Sequence, residues 1–110
     1  MSLIFIVITM HKIYEYLCIL LYFYSNEHEP IHVHGKHGDT ESKAEFIIVN
    51  GEIVEIRIKT VKGYKPLKGK ELKDFKDFLK TYASKIVDKW IDYFVLHKNI
   101  NFERINTKLK

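Results

Sequence analysis

The sequence predicts an α+β fold in which a small antiparallel sheet carries two C-terminal helices on one face. Two observations support this class. The first half of the chain holds apolar and aromatic runs separated by turns with Pro or Gly, whereas residues 70–97 contain neither. A chain of 110 residues has room for one modest core. We therefore expect one domain over residues 10–98, an N-terminal extension at 1–9 and a polar, frayed tail at 99–110.

The aromatic run Tyr14–Tyr24 predicts a long, mostly buried strand, because it is rich in Ile, Leu, Tyr and Phe and lacks Pro and Gly. A turn over Ser25–Pro30 follows, since the proline ring fixes its own φ and favours an extended residue before it. Ile31–Gly35 is then a short extended segment. The two glycines and several charges of Gly35–Ser42 predict a loop.

A β-hairpin is predicted around Asn50-Gly51, a pair preferred in type I′ turns because both positions need positive φ. Its strands are Lys43–Val49 and Glu52–Lys59. Period-two alternation places one row of each strand in the core and the other in water. The predicted inner rows are Ala44, Phe46 and Ile48 in the first strand and Val54, Ile56 and Ile58 in the second, with Glu55, Arg57 and Lys59 outside.

Helical periodicity follows the connector Thr60–Gly69 and continues to His97. Apolar residues recur there at steps of three or four, the stripe of an amphipathic helix. Because the segment is long for one globular helix, we predict a break near Thr81–Ser84, with Ser84 as the N-cap of the second helix. A single helix is the alternative. The stripe consists of Leu72, Phe75, Leu79, Tyr82, Ile86, Trp90 and Phe94.

Composition and charge exclude few kinds of partner. The net charge of +4 permits contact with nucleic acid or an acidic protein without requiring it.

The single cysteine, Cys18, lies in an apolar run, which predicts a small buried side chain and a reducing, cytoplasmic setting. The apolar runs near the N-terminus are too short to span a bilayer and lack the features of a signal peptide, so no membrane association is expected. Met10 is the alternative start of the chain.

Four of the six histidines fall between residues 28 and 37. In an extended segment His32 and His34 point to the same side, so they can share one divalent transition metal ion such as zinc. His28, before the proline turn, is the expected third ligand, with Glu27 or His37 as alternatives. The histidines at 28, 32 and 34 are also the candidate catalytic residues.

The same histidines support a metal-free alternative. Two histidines with different pKa values can act as base and acid in cleaving an RNA phosphodiester through its 2′-hydroxyl. Lys36, Lys43 or Arg57 would then stabilise the developing negative charge. A third interpretation is structural: the imidazoles cap the end of the sheet by hydrogen bonding to backbone and carboxylate groups.

A second cluster of charges is basic. Residues 57–76 are dense in Lys and Arg and include only two acidic residues, Glu71 and Asp74. The residues expected to contact nucleic-acid phosphates are Arg57, Lys59, Lys68 and Lys73. The alternative is a solvated face of a lysine-rich chain, because no groove-reading motif is present.

The segment from Tyr22 to His34 resembles the prokaryotic family known as domain of unknown function 4160. It contains an aromatic strand, then the acidic-His-x-Pro turn, then the His-x-His pair His32-Val33-His34. The resemblance extends over about Met10–Leu96. Many relatives carry a second Pro and an aromatic residue where this chain has Ile31 and Val33, but the histidines are kept. The resemblance implies a gene arrangement like that of toxin–antitoxin pairs, because relatives often stand beside genes of a second small family; it implies no catalytic residues.

Three functions are consistent with these observations. The leading hypothesis is a small cytoplasmic module of the toxin–antitoxin type that acts on RNA, or binds a small partner protein, through the histidine-rich site. The alternative is a metal-binding protein that uses the His-x-His pair. The second alternative is a non-catalytic interaction domain that docks a partner by its sheet edge or its basic helix face. The sequence leaves open whether the protein is an enzyme.

Overall fold

The computed structural model of the chain describes residues 9–27 and 30–109. Its elements are β1 (Met10–Tyr16), β2 (Ile19–Tyr24), β3 (His32–His37), β4 (Thr40–Val49), β5 (Glu52–Thr60), α1 (Gly69–Phe94) and β6 (Glu103–Ile105). The strands form one sheet in the order β5-β4-β3-β2-β1-β6, in which only the pair β1–β6 is parallel. The α+β class is confirmed. Apart from Thr9, the predicted N-terminal extension lies outside the described residues.

The second half of the chain forms one continuous helix, so the prediction of two helices is wrong. Neither Pro nor Gly follows the first residue of α1, and the apolar stripe continues through the predicted break. The Thr81 hydroxyl donates to the Asp77 carbonyl four residues earlier, so it bonds within the helix and does not cap a new one. Ser84 therefore lies inside the helix. Charged residues recur along α1, and no described helix combines the length and apolar character that a membrane span requires.

Helix α1 covers one face of the sheet with a row of large apolar side chains. Phe78 packs against Tyr14 and Tyr16 of β1, with ring centroids 5.2 and 5.0 Å apart. The Phe75 ring lies directly against Gly35 of β3, where a Cβ atom would come within 2.5 Å of Phe75 Cε1. The core therefore lies between α1 and this face, and the opposite face of the sheet carries polar residues together with Tyr22 and Tyr24.

The run Tyr14–Tyr24 forms two antiparallel strands rather than the one long strand predicted. Leu17 and Cys18 make the two-residue turn between them, and their φ values of 48° and 67° are those of a type I′ turn. Bulky side chains rarely adopt positive φ, so the sequence carries no signal for this turn. The turn exposes Cys18, and the prediction of a buried cysteine is wrong.

The predicted loop Gly35–Ser42 is instead the tight hairpin that joins β3 to β4. Gly38 and Asp39 form its turn, with Gly38 at a φ of 59°. His37 pairs with Thr40 across this turn, and strand pairing continues directly beyond it. Because β4 begins so early, Glu41 becomes part of the sheet rather than of a loop.

The Asn50-Gly51 hairpin is confirmed, with φ values of 52° and 81° at the two turn residues. Ala44 and Phe46 are buried, and Ile48 packs against the core, as predicted. A bulge shifts the register, however, so that Ile48 pairs with Ile53 and Ile47 with Glu55. Val54, between these pairs, is 59% exposed, and its predicted place in the inner row is wrong.

Part of the C-terminal tail adds a sixth strand, so the predicted fraying is wrong for this part. β6 pairs in parallel with the second half of β1. Arg104 Nε donates to Glu15 Oε2 at 2.7 Å, and the Leu109 amide donates to the Tyr16 hydroxyl at 2.9 Å. These contacts fasten a segment that its composition alone would leave in solvent.

The pH dependence of stability can be tested at His11, whose ring contacts the Tyr93 hydroxyl of α1. Burial lowers the pKa of His11 below the ordinary histidine value of about 6.5, so the unfolded chain binds this proton more readily than the folded protein. Stability from this group is complete above that value and falls as the pH drops through it. We expect the free energy of unfolding in urea to fall between about pH 7 and pH 5, and less steeply in His11→Gln.

One proton contributes at most about 1.4 kcal/mol per pH unit to this slope. Glutamine keeps an acceptor for Tyr93, so the variant removes the titration with little loss of packing. His97→Asn, at an exposed position, is the control and should keep the wild-type slope. Equal slopes in all three proteins would show that His11 does not contribute.

Candidate metal centre

The side chains of β3 alternate between the two faces of the sheet. Val33 belongs to the core, and Gly35 contacts Phe75 of α1. His32 and His34 therefore lie on the opposite face, which we call the open face, with ring centroids 5.2 Å apart. Their predicted placement on the same side is confirmed.

Glu27, in the segment between β2 and β3, brings one carboxylate oxygen to both imidazoles. Glu27 Oε1 lies 2.9 Å from His32 Nε2 and 2.6 Å from His34 Nε2. One ligand atom from each of the three residues can be chosen so that all lie within 4.8 Å of one another. Two nitrogens and one oxygen thus lie close enough together to be ligands of one ion.

Each imidazole is held at its other nitrogen. His32 Nδ1 donates to the Pro30 carbonyl oxygen at 2.7 Å, and His34 Nδ1 lies 3.1 Å from Glu41 Oε2. A carbonyl or an ionised carboxylate only accepts, so these partners favour the tautomer with hydrogen on Nδ1 and the lone pair on Nε2. Metal-binding histidines are usually oriented in this way by carbonyl or carboxylate partners.

When both imidazole rings are neutral, too few N–H groups are present to make hydrogen bonds to Glu27. A neutral imidazole carries one N–H, and in both rings the Nδ1 contact uses it. The Nε2 atoms of His32 and His34 would then face Glu27 Oε1 with no hydrogen between them. Either an added proton or a bound cation at the point of convergence removes this repulsion between lone pairs.

Burial opposes an added proton on His34. This residue is 1% exposed, and burial lowers its pKa although Glu27 and Glu41 act in the other direction. Burial would raise the pKa of Glu27, but its hydrogen bonds with His32 and His34 outweigh that effect and lower the pKa. A neutral imidazole beside an ionised carboxylate is the state that metal ions require of these ligands.

Two tyrosines, Tyr22 and Tyr24, form the floor of the centre, and Tyr22 is fully buried. The His34 ring stacks on Tyr22 at 5.4 Å and meets Tyr24 edge-on at 4.7 Å. The two tyrosine hydroxyls are 3.3 Å apart. Burial, reinforced by the nearby Glu41 carboxylate, raises the pKa of Tyr22, so this phenol keeps its proton at neutral pH.

Glu41 is fully buried, and its two oxygens are used unequally. Oε2 holds His34, whereas Oε1 accepts no hydrogen bond within residues 9–27 and 30–109. A buried carboxylate is costly unless positive charge lies close to it. A cation bound to the other nitrogen of His34 would supply that charge through the ring.

The other two histidines of the predicted cluster are His28 and His37. His28 lies outside the described residues. His37 lies on the face covered by α1, where its Nε2 is 3.9 Å from Glu71 Oε1. The third potential ligand in the described cluster is therefore Glu27, which the sequence analysis gave only as an alternative to His28.

The predicted basic residues fall on two sides of the sheet. Arg57 and Lys59 of β5 lie on the open face, where each forms an ion pair with a glutamate. Lys73 lies on α1, and Lys68 is the N-cap residue that precedes it. The four side chains are therefore not neighbours on one surface, although two of them share the face of the histidines.

The sequence prediction omits Glu41, which is the residue that orients His34. A Gly-Asp pair between two alternating segments is a recognised hairpin signal, and Gly38-Asp39 carries it. That signal would have extended β4 to Thr40 and put Glu41 beside the histidine strand. The position of Glu27 carries no comparable signal, because an irregular segment sets it.

A family model described as domain of unknown function (DUF4160) matches residues 18–91, which is more than half of the chain. The match is shorter than the Met10–Leu96 stretch of the expected resemblance, but it includes Glu27, both clustered histidines and Glu41. No curated protein and no solved structure matched the chain. The extent of the family match shows that the chain belongs to the DUF4160 family.

Proposed function

We propose that this protein binds a divalent transition metal ion through Glu27, His32 and His34. The observation that carries the proposal is the convergence of Glu27 Oε1 and two imidazole nitrogens, each ring being held at its other nitrogen by an acceptor. Proteins orient metal-binding histidines by such contacts. In a purely structural cluster a proton on each Nε2 would make these contacts ordinary hydrogen bonds to Glu27, and metal titration distinguishes the two cases.

The ligand set favours zinc, with iron and nickel as the next candidates. Two imidazoles and one carboxylate suit borderline metals, whereas magnesium and calcium prefer oxygen ligands. Three protein ligands leave a position for water, as in catalytic zinc sites. A bound metal ion would lower the pKa of that water and supply hydroxide near neutral pH.

Entry of the ion requires a small movement of Glu27. Around a tetrahedral zinc ion with ligand distances of about 2.0–2.1 Å, the donor atoms stand about 3.3 Å apart. The contacts of 2.6 and 2.9 Å must therefore lengthen by roughly half an ångström. Glu27 can make this movement because 37% of its side chain is exposed, whereas His32 and His34 are fixed in the sheet.

The test is metal binding by protein purified without a histidine tag. We expect about one zinc ion per chain by elemental analysis, and saturable binding when metal-free protein is titrated with zinc. Glu27→Gln and His32→Ala should each weaken binding by about 100-fold or more, because each removes a ligand. The matched control is His37→Ala, on the same strand but the opposite face, which should bind like the wild type.

Two results would overturn the proposal. One is an absence of saturable binding by the folded wild-type protein for zinc, iron and nickel alike. The other is an equal loss of affinity in His37→Ala and His32→Ala, which would place the bound ion elsewhere. Circular dichroism of each variant verifies that the fold is intact.

The hypothesis of a toxin–antitoxin-type module that acts on RNA is supported by a separate observation. Lys43 is the cross-strand neighbour of His34, and Lys36 lies two residues further along β3 on the same face. Two ammonium groups near the histidines are suited to a phosphate backbone. In this mechanism Glu27 must leave both Nε2 atoms before they can act as acid and base. RNA cleavage or growth inhibition by metal-free protein, lost in His32→Ala, would favour this hypothesis over the metal proposal.

A further inference from the structure

Strand β5 forms one edge of the sheet and is unusually long for an edge. It extends over Glu52–Thr60 and pairs with β4 on its inner side. Within the described part of the chain, no strand pairs with its outer side. Proteins usually shorten such edges or interrupt them with proline, because unpaired N–H and C=O groups attract other strands. This edge contains no proline.

An apolar groove runs beside this edge, between β5 and α1. Its volume is about 730 Å³, and its walls include Val54 and Ile56 from the strand and Leu79 and Ala83 from the helix. The edge thus offers both unpaired backbone and adjacent apolar surface, the two features that strand addition by a partner uses.

We propose that two copies of this chain pair in antiparallel fashion along β5, with Ile56 opposite Ile56 of the second copy across a twofold axis. A symmetric interface of this kind requires a surface that is complementary to itself. β5 meets this requirement, because Glu55 and Arg57 lie one residue on either side of Ile56. In the proposed register each Glu55 stands directly opposite Arg57 of the other copy.

The charges of Glu55 and Arg57 favour this register over registers shifted by one or two residues. A shift of one residue would place Glu55 of one copy opposite Ile56 of the other. Every side chain of the second copy would then have to point to the other face of the joined sheet. A shift of two residues would bring either the two Glu55 side chains or the two Arg57 side chains together, and like charges directly opposite one another are destabilising. Only the Ile56-centred register pairs opposite charges twice with no like-charge contact between these residues.

Glu55 and Arg57 are available for this pairing. Both side chains are about half exposed, at 50% and 52%, and they contact each other within one strand at 2.8 Å. In the dimer each can keep its own-strand partner and gain one across the seam. On the other face the register places Ile56 opposite Ile56 of the second copy, so apolar residues meet at the centre of the seam, and Val54 lies in the bulge beside it.

The pairing would join two six-stranded sheets into one continuous sheet with both α1 helices on the same face. The metal centre lies on the opposite face, on β3 and the segment before it, and contributes no residue to the seam. The proposed dimer and the proposed metal binding can therefore be refuted independently of each other.

The first experiment measures association by sedimentation equilibrium over a range of protein concentrations at low salt. We expect a monomer–dimer equilibrium in the wild type. E55R and R57E should each raise the dimer dissociation constant by about tenfold or more, because each creates two like-charge pairs. The double variant E55R/R57E restores both pairs and should dimerise like the wild type. K73E removes an exposed ion pair on α1, outside the groove, and is the control for the change of net charge.

The second experiment tests the register by disulfide crosslinking in a Cys18→Ser background. Opposed residues of an antiparallel pair have the Cα separation that a disulfide needs. I56C should therefore crosslink to its own copy under mild oxidation, whereas V54C should not, because residue 54 faces residue 58. A monomeric wild type, or single charge variants that dimerise as well as the wild type, would overturn the proposal. Crosslinking by V54C but not I56C would overturn its register.

Discussion

Replacing Gly35 by alanine should destabilise the protein by about 3 kcal/mol, which corresponds to a fall in Tm of about 10 °C or more for a chain of this size. The added Cβ would lie 2.5 Å from Phe75 Cε1 and within 2.8 Å of two further atoms of the same ring. Gly35 lies in the middle of β3, and Phe75 of α1 is fully buried, so neither can move without disturbing the core. Urea denaturation followed by circular dichroism measures the change.

A double-mutant cycle identifies the cause. Phe75→Leu alone leaves a cavity and should cost about 1–2 kcal/mol. Combined with Gly35→Ala it should be markedly less destabilising than the sum of the two single changes, because the smaller side chain makes room for the new methyl group. An additive double variant, or a Gly35→Ala protein within about 0.5 kcal/mol of the wild type, would refute close packing at this contact.

Substituting Glu41 by glutamine should weaken metal binding by about 10–100-fold while leaving one site per chain. Glu41 touches no ion in the proposed centre; it holds His34 through Nδ1 at 3.1 Å. Glutamine can still accept that hydrogen bond but lacks the negative charge that makes the imidazole a stronger ligand. Titration of the metal-free variant with zinc measures the affinity, and elemental analysis verifies the stoichiometry.

Glu45→Gln is the matched control for this substitution. Glu45 lies on the same strand and the same face, is also buried, and stands opposite His32, but it is paired with Lys59 at 3.0 Å. The control should bind zinc within about twofold of the wild type. Equal effects of the two substitutions would mean that Glu41 acts through general electrostatics rather than by positioning His34.

The hairpins show how far sequence patterns determine this fold. Asn50-Gly51 was predictable because its residues are chosen for positive φ. Leu17-Cys18 adopts the same kind of turn without residues that favour it. The sequence therefore predicted one long strand where the structure has two. Here the pairing of β1 with β2 and the packing of both against α1 impose the turn, and such long-range forces leave no local mark on the sequence.

The candidate metal centre was predictable to a similar extent. Alternation along a strand was enough to place His32 and His34 on the same side. Glu27 and Glu41 reach the histidines because of the way β3 is connected to the strands on either side of it. The alternation of side chains along one strand does not predict those connections. The single helix is a third case, because a possible N-cap at Ser84 was outweighed by an apolar stripe that continues through Tyr82 and Ala83, both of which pack against the core.

The contacts of the metal centre are also local in sequence, which bears on the order in which the molecule folds. Its three imidazole–carboxylate contacts join residues 5, 7 and 7 positions apart, whereas His11 meets Tyr93 over 82 positions and Tyr16 meets Leu109 over 93. Short loops lose little entropy on closure, and contacts between distant residues form slowly. We therefore expect β2, β3 and β4 to form the centre before the chain ends come together, so that a metal ion could bind to an early folding unit rather than only to the finished protein.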